Sequence, residues 1–245
     1  MAVILGMPLG RVIGLHAGWR MSFLTMAIIA ACTLTYLCFV FPKLEKTEKF
    51  TFKQLPELFR NKNLMGLFAI AALVPTAQYA AYSYIEPFMK FVAKMPDNMV
   101  TINLMILGCA GLLGSAIFAR TYEKHVKVFL TLSIAGIAVS HLLLYPATVN
   151  EFAMIALFIF WGVCMTCFGM ASQADLMAAT TVSAAPVAMS IYSGIFNFGI
   201  GSGTWVGGMI CDHIDIAYIG YGAGILTILG TIFSAWLASH LHKKH

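Results

Sequence analysis

Glu86, in "YSYIEPF" at 82–88, is the only acid in a long apolar run from 63 to 89. An ionisable group in such a run is costly, which makes it a candidate for function. On a helix turning about 100° per residue, Gln78, Tyr79, Tyr82, Ser83 and Glu86 share one arc of about 140°. The tyrosine rings can stack on the apolar face of a small solute. Gln78 can donate to and accept from its hydroxyls, and the Glu86 carboxyl can take up and release a proton. A second reading is open, because Glu86 lies a few residues from the outer end of the run and can serve as an interfacial carboxylate. Pro75, a turn before the stripe, removes a backbone hydrogen bond and permits a kink there.

Three further positions bear on chemistry. Arg11, between Gly10 and Gly14, is a charge within an apolar run: either a gating or coupling charge paired with an acid, or a long side chain reaching outward to water. Ser190, Ser193, Asn197 and Thr204 occupy an arc of about 60°, and Asn197 is the member that could contact solute. His141 reads as a hydrogen-bonded packing residue rather than a proton relay, and Asp175 as a solvated acid at a membrane boundary. Cys164 and Cys167 form a C-x-x-C in mid-helix with no His, Asp or second cysteine pair nearby. They read as packing thiols, and no metal or cofactor is expected.

The elements that carry these residues follow from composition. The 245 residues are 60% hydrophobic and 10% charged, with a mean hydropathy of +0.85. Soluble domains carry about a quarter charged residues, so this chain is expected to be solvated by lipid. Apolar runs recur at about 1–15, 21–41, 63–89, 98–119, 126–146, 151–171, 187–209 and 216–240. Most are close to the roughly 20 residues a helix needs to cross a bilayer. Backbone groups in lipid must pair within the segment, and barrel-type alternation is absent. The expectation is an all-α integral membrane protein of about eight transmembrane helices.

With the first helix running outward, Arg20, Lys90 and Lys94 lie outside, and the basic residues of 43–62, 120–127 and 243–244 lie inside. Inside-facing loops win, as the positive-inside rule requires, and the C-terminus is then cytoplasmic. The net charge of +5 reflects topology and anionic lipid headgroups, and no nucleic acid is implied. Residues 42–62, "PKLEKTEKFTFKQLPELFRNK", are the one long polar stretch. They are expected to link a pair of helices in 1–41 to a six-helix bundle in 63–245.

Glycines repeat at four-residue spacing in two places: Gly6, Gly10 and Gly14 (with Pro8 between), and Gly199, Gly203 and Gly207. This spacing puts glycines on one face and lets another helix come close. The two sets are separated by about the length of the six-helix stretch, and repeated halves are a transporter signature. On that reading the first run is the fifth helix of a half whose first four helices are missing. The start at Met1, "MAVILGMPLG", has neither a charged lead nor a cleavage site, so no signal peptide is expected.

"GMPLGRVIG" followed by "GWRMSF" resembles the glycine–proline motif of the fifth helix in major facilitator antiporters. "AYSYIEPF", "FWG" and "SGIFNFGIGSG" are similar to segments of the bacterial sugar efflux transporters of that superfamily. "RTYEKHVK" at 120–127 resembles its short basic cytoplasmic loop. The resemblance implies a major facilitator fold lacking its first four helices, in the bacterial plasma (inner) membrane. It implies proton-coupled efflux of sugars or related small solutes by alternating access, with no enzymatic step. Its partners would be a small solute, protons, the lipid bilayer and the missing N-terminal half. The sequence also leaves open a drug/proton antiporter and a membrane protein that does not transport. Nucleotide-binding G-x-x-x-x-G-K-[ST] and protease H-E-x-x-H patterns are not found.

Overall fold

The structure is a computed structural model; it describes residues 18–40 and 55–241, together with Gly10, Ile13 and Gly14. Every element among the described residues is helical. We number the α-helices α1 (Trp19–Val40), α2 (Leu55–Arg60), α3 (Lys62–Tyr82), α4 (Ile85–Pro87), α5 (Asp97–Thr121), α6 (Val126–Leu142), α7 (Glu151–Ala178), α8 (Ala185–His213) and α9 (Ile219–Leu241). Short 3-10 turns at Pro146–Val149 and Ile216–Tyr218 join α6 to α7 and α8 to α9.

Among the described residues, five stretches are long and apolar enough to cross a membrane: Trp19–Val40, Lys62–Val92, Asp97–Thr121, Glu151–Ala178 and Ile216–His240. Val126–Leu142 is apolar but shorter, at 17 residues. Ala185–His213 has 29 residues, but its glycines, serines and polar side chains make it less apolar, and it is not among the five. Most of the first expected span lies outside the described residues.

Local chemistry sets the helix starts. Asn61 caps α3 by accepting from the backbone N–H groups of Asn63 and Leu64, while its amide donates to Ala179 O at 3.0 Å. Asn150 caps α7 by accepting from Phe152 N at 2.9 Å, and Glu151 follows in the first turn, where a negative charge suits the helix dipole.

The interruption in the third span falls away from the position that Pro75 suggests. Helix α3 runs through Pro75 and stops at Tyr82; Ser83 and Tyr84 form a turn before α4. Pro87 supplies the reason. It has no N–H to offer the carbonyl four residues back, that of Ser83, and its ring crowds the same carbonyl. The span continues as a π-helical turn over Phe88–Val92 and closes before Lys94, whose φ of 53° is left-handed.

Around the bundle, α8 packs on α3, α3 on α9, α9 on α6, α6 on α7 and α7 on α5. The interior is filled by large side chains including Ile70, Phe88, Ile134, Ile137, Phe158 and Trp161, all fully buried. Helix α1 differs. None of its residues is buried, and it packs extensively on no other described helix. A stretch that apolar, exposed all round, suits lipid as its solvent.

Candidate functional site

The polar stripe on the third span divides once folded. Gln78 is 4% exposed, and both ends of its amide are engaged: Trp161 Nε1 donates to Oε1 at 3.1 Å, and Nε2 donates to Met165 Sδ at 3.3 Å. The sequence suggests a solute-facing glutamine; the structure places it as a strut between α3 and α7. Burial explains the change, because an amide removed from water must find partners within the protein.

Tyr79 is half-buried and Tyr82 buried, with ring centroids 5.4 Å apart at 72°. The Tyr82 ring also meets Trp161 edge to face at 6.2 Å, and Phe158 meets Trp161 at 5.9 Å. Edge-to-face contacts of this kind are worth roughly 0.5–1.5 kcal/mol each beyond area burial. The tyrosine pair therefore stands on a rigid aromatic base, with the Tyr79 ring nearer the surface.

Beside the break in the span, Ser83 Oγ hydrogen-bonds Thr204 Oγ1 at 2.8 Å, and the Tyr84 hydroxyl donates to Thr204 O at 3.2 Å. Both bonds tie the interrupted segment to α8. Glu86 sits in α4 with intermediate exposure. Lys90 pairs with Asp97 at 3.1 Å just beyond it. Arg11, Gly6 and Pro8 lie outside the described residues.

One face of α8 abuts α3 without side chains between. A Cβ at Gly199 would lie 2.8 Å from Ala72 O, and Cβ atoms at Gly203 and Gly207 would run into the carbonyl oxygens of Thr76 and Ala80. The three glycines thus meet three carbonyls that also repeat every four residues, which brings the two backbones close. At Gly10 a Cβ would meet nothing within 4 Å, and at Gly14 only Ser22 Oγ of α1 at 3.6 Å; the same hydroxyl donates to Gly10 O at 3.1 Å, so the contact there is one side chain of α1 and not a second backbone.

Asn197 is exposed on α8, its amide donating to Ser193 O at 2.8 Å. Nearby, a cavity of about 190 Å³ opens between α7 and α8, lined by Gly169, Gln173, Met189, Tyr192, Ser193 and Phe196. Its Tyr192 hydroxyl is bonded to Ser172 Oγ at 2.6 Å. This wall offers an amide, hydroxyls and two aromatic rings, the mixed lining that small-molecule sites use.

At the end of the bundle that carries Lys124 and Lys127, the Tyr122 hydroxyl donates to Asp175 Oδ1 at 2.5 Å. Burial, and then the hydrogen bond to Asp175 and its charge, raise the Tyr122 phenol above its ordinary value. Asp175, expected to be solvated, is instead half-buried and engaged. Cys164 and Cys167 are buried free thiols, and no metal-binding group of His, Cys, Asp and Glu occurs among the described residues.

Sequence reasoning missed Trp161 as a partner of Gln78, Tyr122 as a partner of Asp175, and the His141 contacts taken up below. Each joins residues far apart in the chain, so spacing carried no signal for it. Residues 1–182 match the model of the family described as Major Facilitator Superfamily.

Proposed function

The chain belongs to the major facilitator superfamily, and on that premise we propose that it exports sugars or related small solutes in exchange for protons. As a multi-pass membrane protein of a transporter type, it needs a solute site and a proton site. The observation that carries the reading is the break at Ser83–Tyr84 beside the Tyr79–Tyr82 ring pair. Interrupted helices recur at transporter binding sites, because unwound backbone is tolerated where it lines a cavity.

In this reading Tyr79 stacks on the solute with Tyr82 packed behind it, Asn197 hydrogen-bonds it from α8, and Gln78 holds the wall through Trp161. Glu86 is the proton-coupling acid, with Arg11 as a candidate partner. The six helices α3 and α5–α9, with the short α4 segment, form one half of a rocking pair of bundles. The helices of 1–41 belong to the other. The protein sits in a bacterial inner membrane with its C-terminus in the cytoplasm.

Met189, Tyr192 and Phe196 in the α7–α8 cavity favour a second reading, a hydrophobic drug exchanged for protons. Inside-out vesicles carrying the chain separate the two. An imposed proton gradient should drive uptake of labelled arabinose and leave a hydrophobic cationic dye unmoved. The reverse pattern would select the drug reading, and movement of neither would remove both.

A further inference from the structure

His141 is fully buried near the C-terminal end of α6, and its surroundings are specific. Its Nδ1 lies 2.9 Å from Thr227 Oγ1 on α9. The Thr227 hydroxyl already donates its single hydrogen to Ala223 O at 2.7 Å. Towards His141 it can therefore only accept, so the imidazole hydrogen must sit on Nδ1. In the neutral ring Nε2 is then a bare lone pair, and that atom is buried without a hydrogen-bond partner.

The imidazole also meets Trp161 edge to face, with centroids 5.2 Å apart at 84°. Trp161 is the residue whose N–H holds Gln78 and whose ring flanks Tyr82. A line of contacts thus runs Thr227, His141, Trp161, then Gln78 and Tyr82, crossing α9, α6, α7 and α3.

Packing alone does not explain a histidine here. Phenylalanine or leucine would fill the space without burying an unsatisfied nitrogen, which costs free energy. What histidine adds is a ring anchored at one edge. The Nδ1–H bond to Thr227 fixes its rotation, and the fixed ring fixes the indole.

We infer that His141, as the neutral Nδ1–H tautomer, is a positioning residue: it holds Trp161, and through Trp161 it sets Gln78 and Tyr82, the wall behind the solute-facing Tyr79. This rests on the reading that the α3 stripe contacts solute. In this role the ring stays neutral, with its basic Nε2 enclosed away from water.

Two measurements on the full chain in lipid nanodiscs test it. In the first, the ¹⁵N spectrum of histidine-labelled protein at pH 7 is assigned at His141 by difference from His141→Gln. A protonated Nδ1 and an unprotonated Nε2 are expected. A hydrogen on Nε2, or a charged ring, overturns the inference whatever the protein transports.

In the second, Thr227→Val removes the acceptor while keeping the side-chain volume. Trp161 emission is read after Trp19, Trp205 and Trp236 are replaced by phenylalanine. The emission should shift, and KM for arabinose transport should rise about three- to tenfold, the loss expected for one hydrogen bond. Vmax per folded protein should stay level, whereas a purely structural role would lower the folded amount and leave KM alone. Unchanged emission and KM would also overturn the inference. If the unaltered chain moves no arabinose, the substrate reading fails, and the spectrum and the emission shift alone judge His141.

Discussion

Trp161 Nε1 donates to Gln78 Oε1 across 3.1 Å, joining α7 to α3 through two fully or nearly buried side chains. Removing one partner leaves the other unsatisfied in the core. Trp161→Phe should lower stability by about 1–3 kcal/mol from the orphaned amide alone, with lost packing added. Introducing Gln78→Leu into Trp161→Phe should recover part of that loss, because no buried amide then remains. Thermal unfolding in detergent of the two singles and the double gives the coupling. Strictly additive losses would show that the bond contributes nothing.

Two glycines on α8 predict opposite outcomes. A Cβ at Gly203 would collide with the Thr76 carbonyl, whereas one at Gly201 would meet nothing within 4 Å. Gly201→Ala should be neutral or slightly stabilising. Gly203→Ala should cost about 1–3 kcal/mol, the usual penalty for overpacking a tight contact. Equal melting temperatures for the two variants would mean that α8 does not sit this close to α3.

The contrast between α1, with no buried residue, and the packed helices from α3 onward predicts the order of proteolysis. Limited digestion in detergent should cut first within 42–62 and leave a resistant fragment beginning near residue 63. Early loss of the C-terminal part, with 1–41 surviving, would contradict this division.

Much of the architecture was legible because membrane helices announce themselves. Long apolar runs with polar joints mark α1, α3, α5, α7 and α9. The glycine spacing in α8 marks a narrow face, yet nothing in the sequence says that α3 lies against it. The same spacing at Gly10 and Gly14 meets only the Ser22 side chain of α1 among the described residues. Pro75 permits a kink, but Pro87, acting back on Ser83, marks the break. Gln78 was visible as a polar residue in an apolar run. Its partner Trp161 comes from a helix 83 residues on, and only folding shows that the amide is held in the core. His141 reads from the sequence as a hydrogen-bonded packing residue, and it is buried and hydrogen-bonded; only its partner is hidden, since Thr227 is 86 residues away.

Tyr122 gives a pH dependence with a definite sign. Its folded-state pKa is raised, by burial first and then by Asp175, above an unfolded value of about 10. The folded chain therefore keeps the phenolic proton at a pH where the unfolded chain loses it. This contribution is complete below about pH 10 and is lost as pH rises through the folded pKa. Tyr122→Phe should flatten the alkaline fall in melting temperature relative to the unaltered chain. Parallel curves above pH 10 would show that the bond to Asp175 does not hold the proton.

Proton-linked export is tested most directly with purified chain in proteoliposomes, comparing unaltered protein with Glu86→Gln. Glutamine keeps the shape of the side chain and fixes its neutral state, so the carboxyl can no longer carry a proton. The unaltered chain should concentrate labelled arabinose against its gradient when a proton gradient is imposed. Glu86→Gln should lose that pumping and keep downhill arabinose exchange. Undiminished pumping by Glu86→Gln, or no gradient-driven movement by the unaltered chain, would contradict the account.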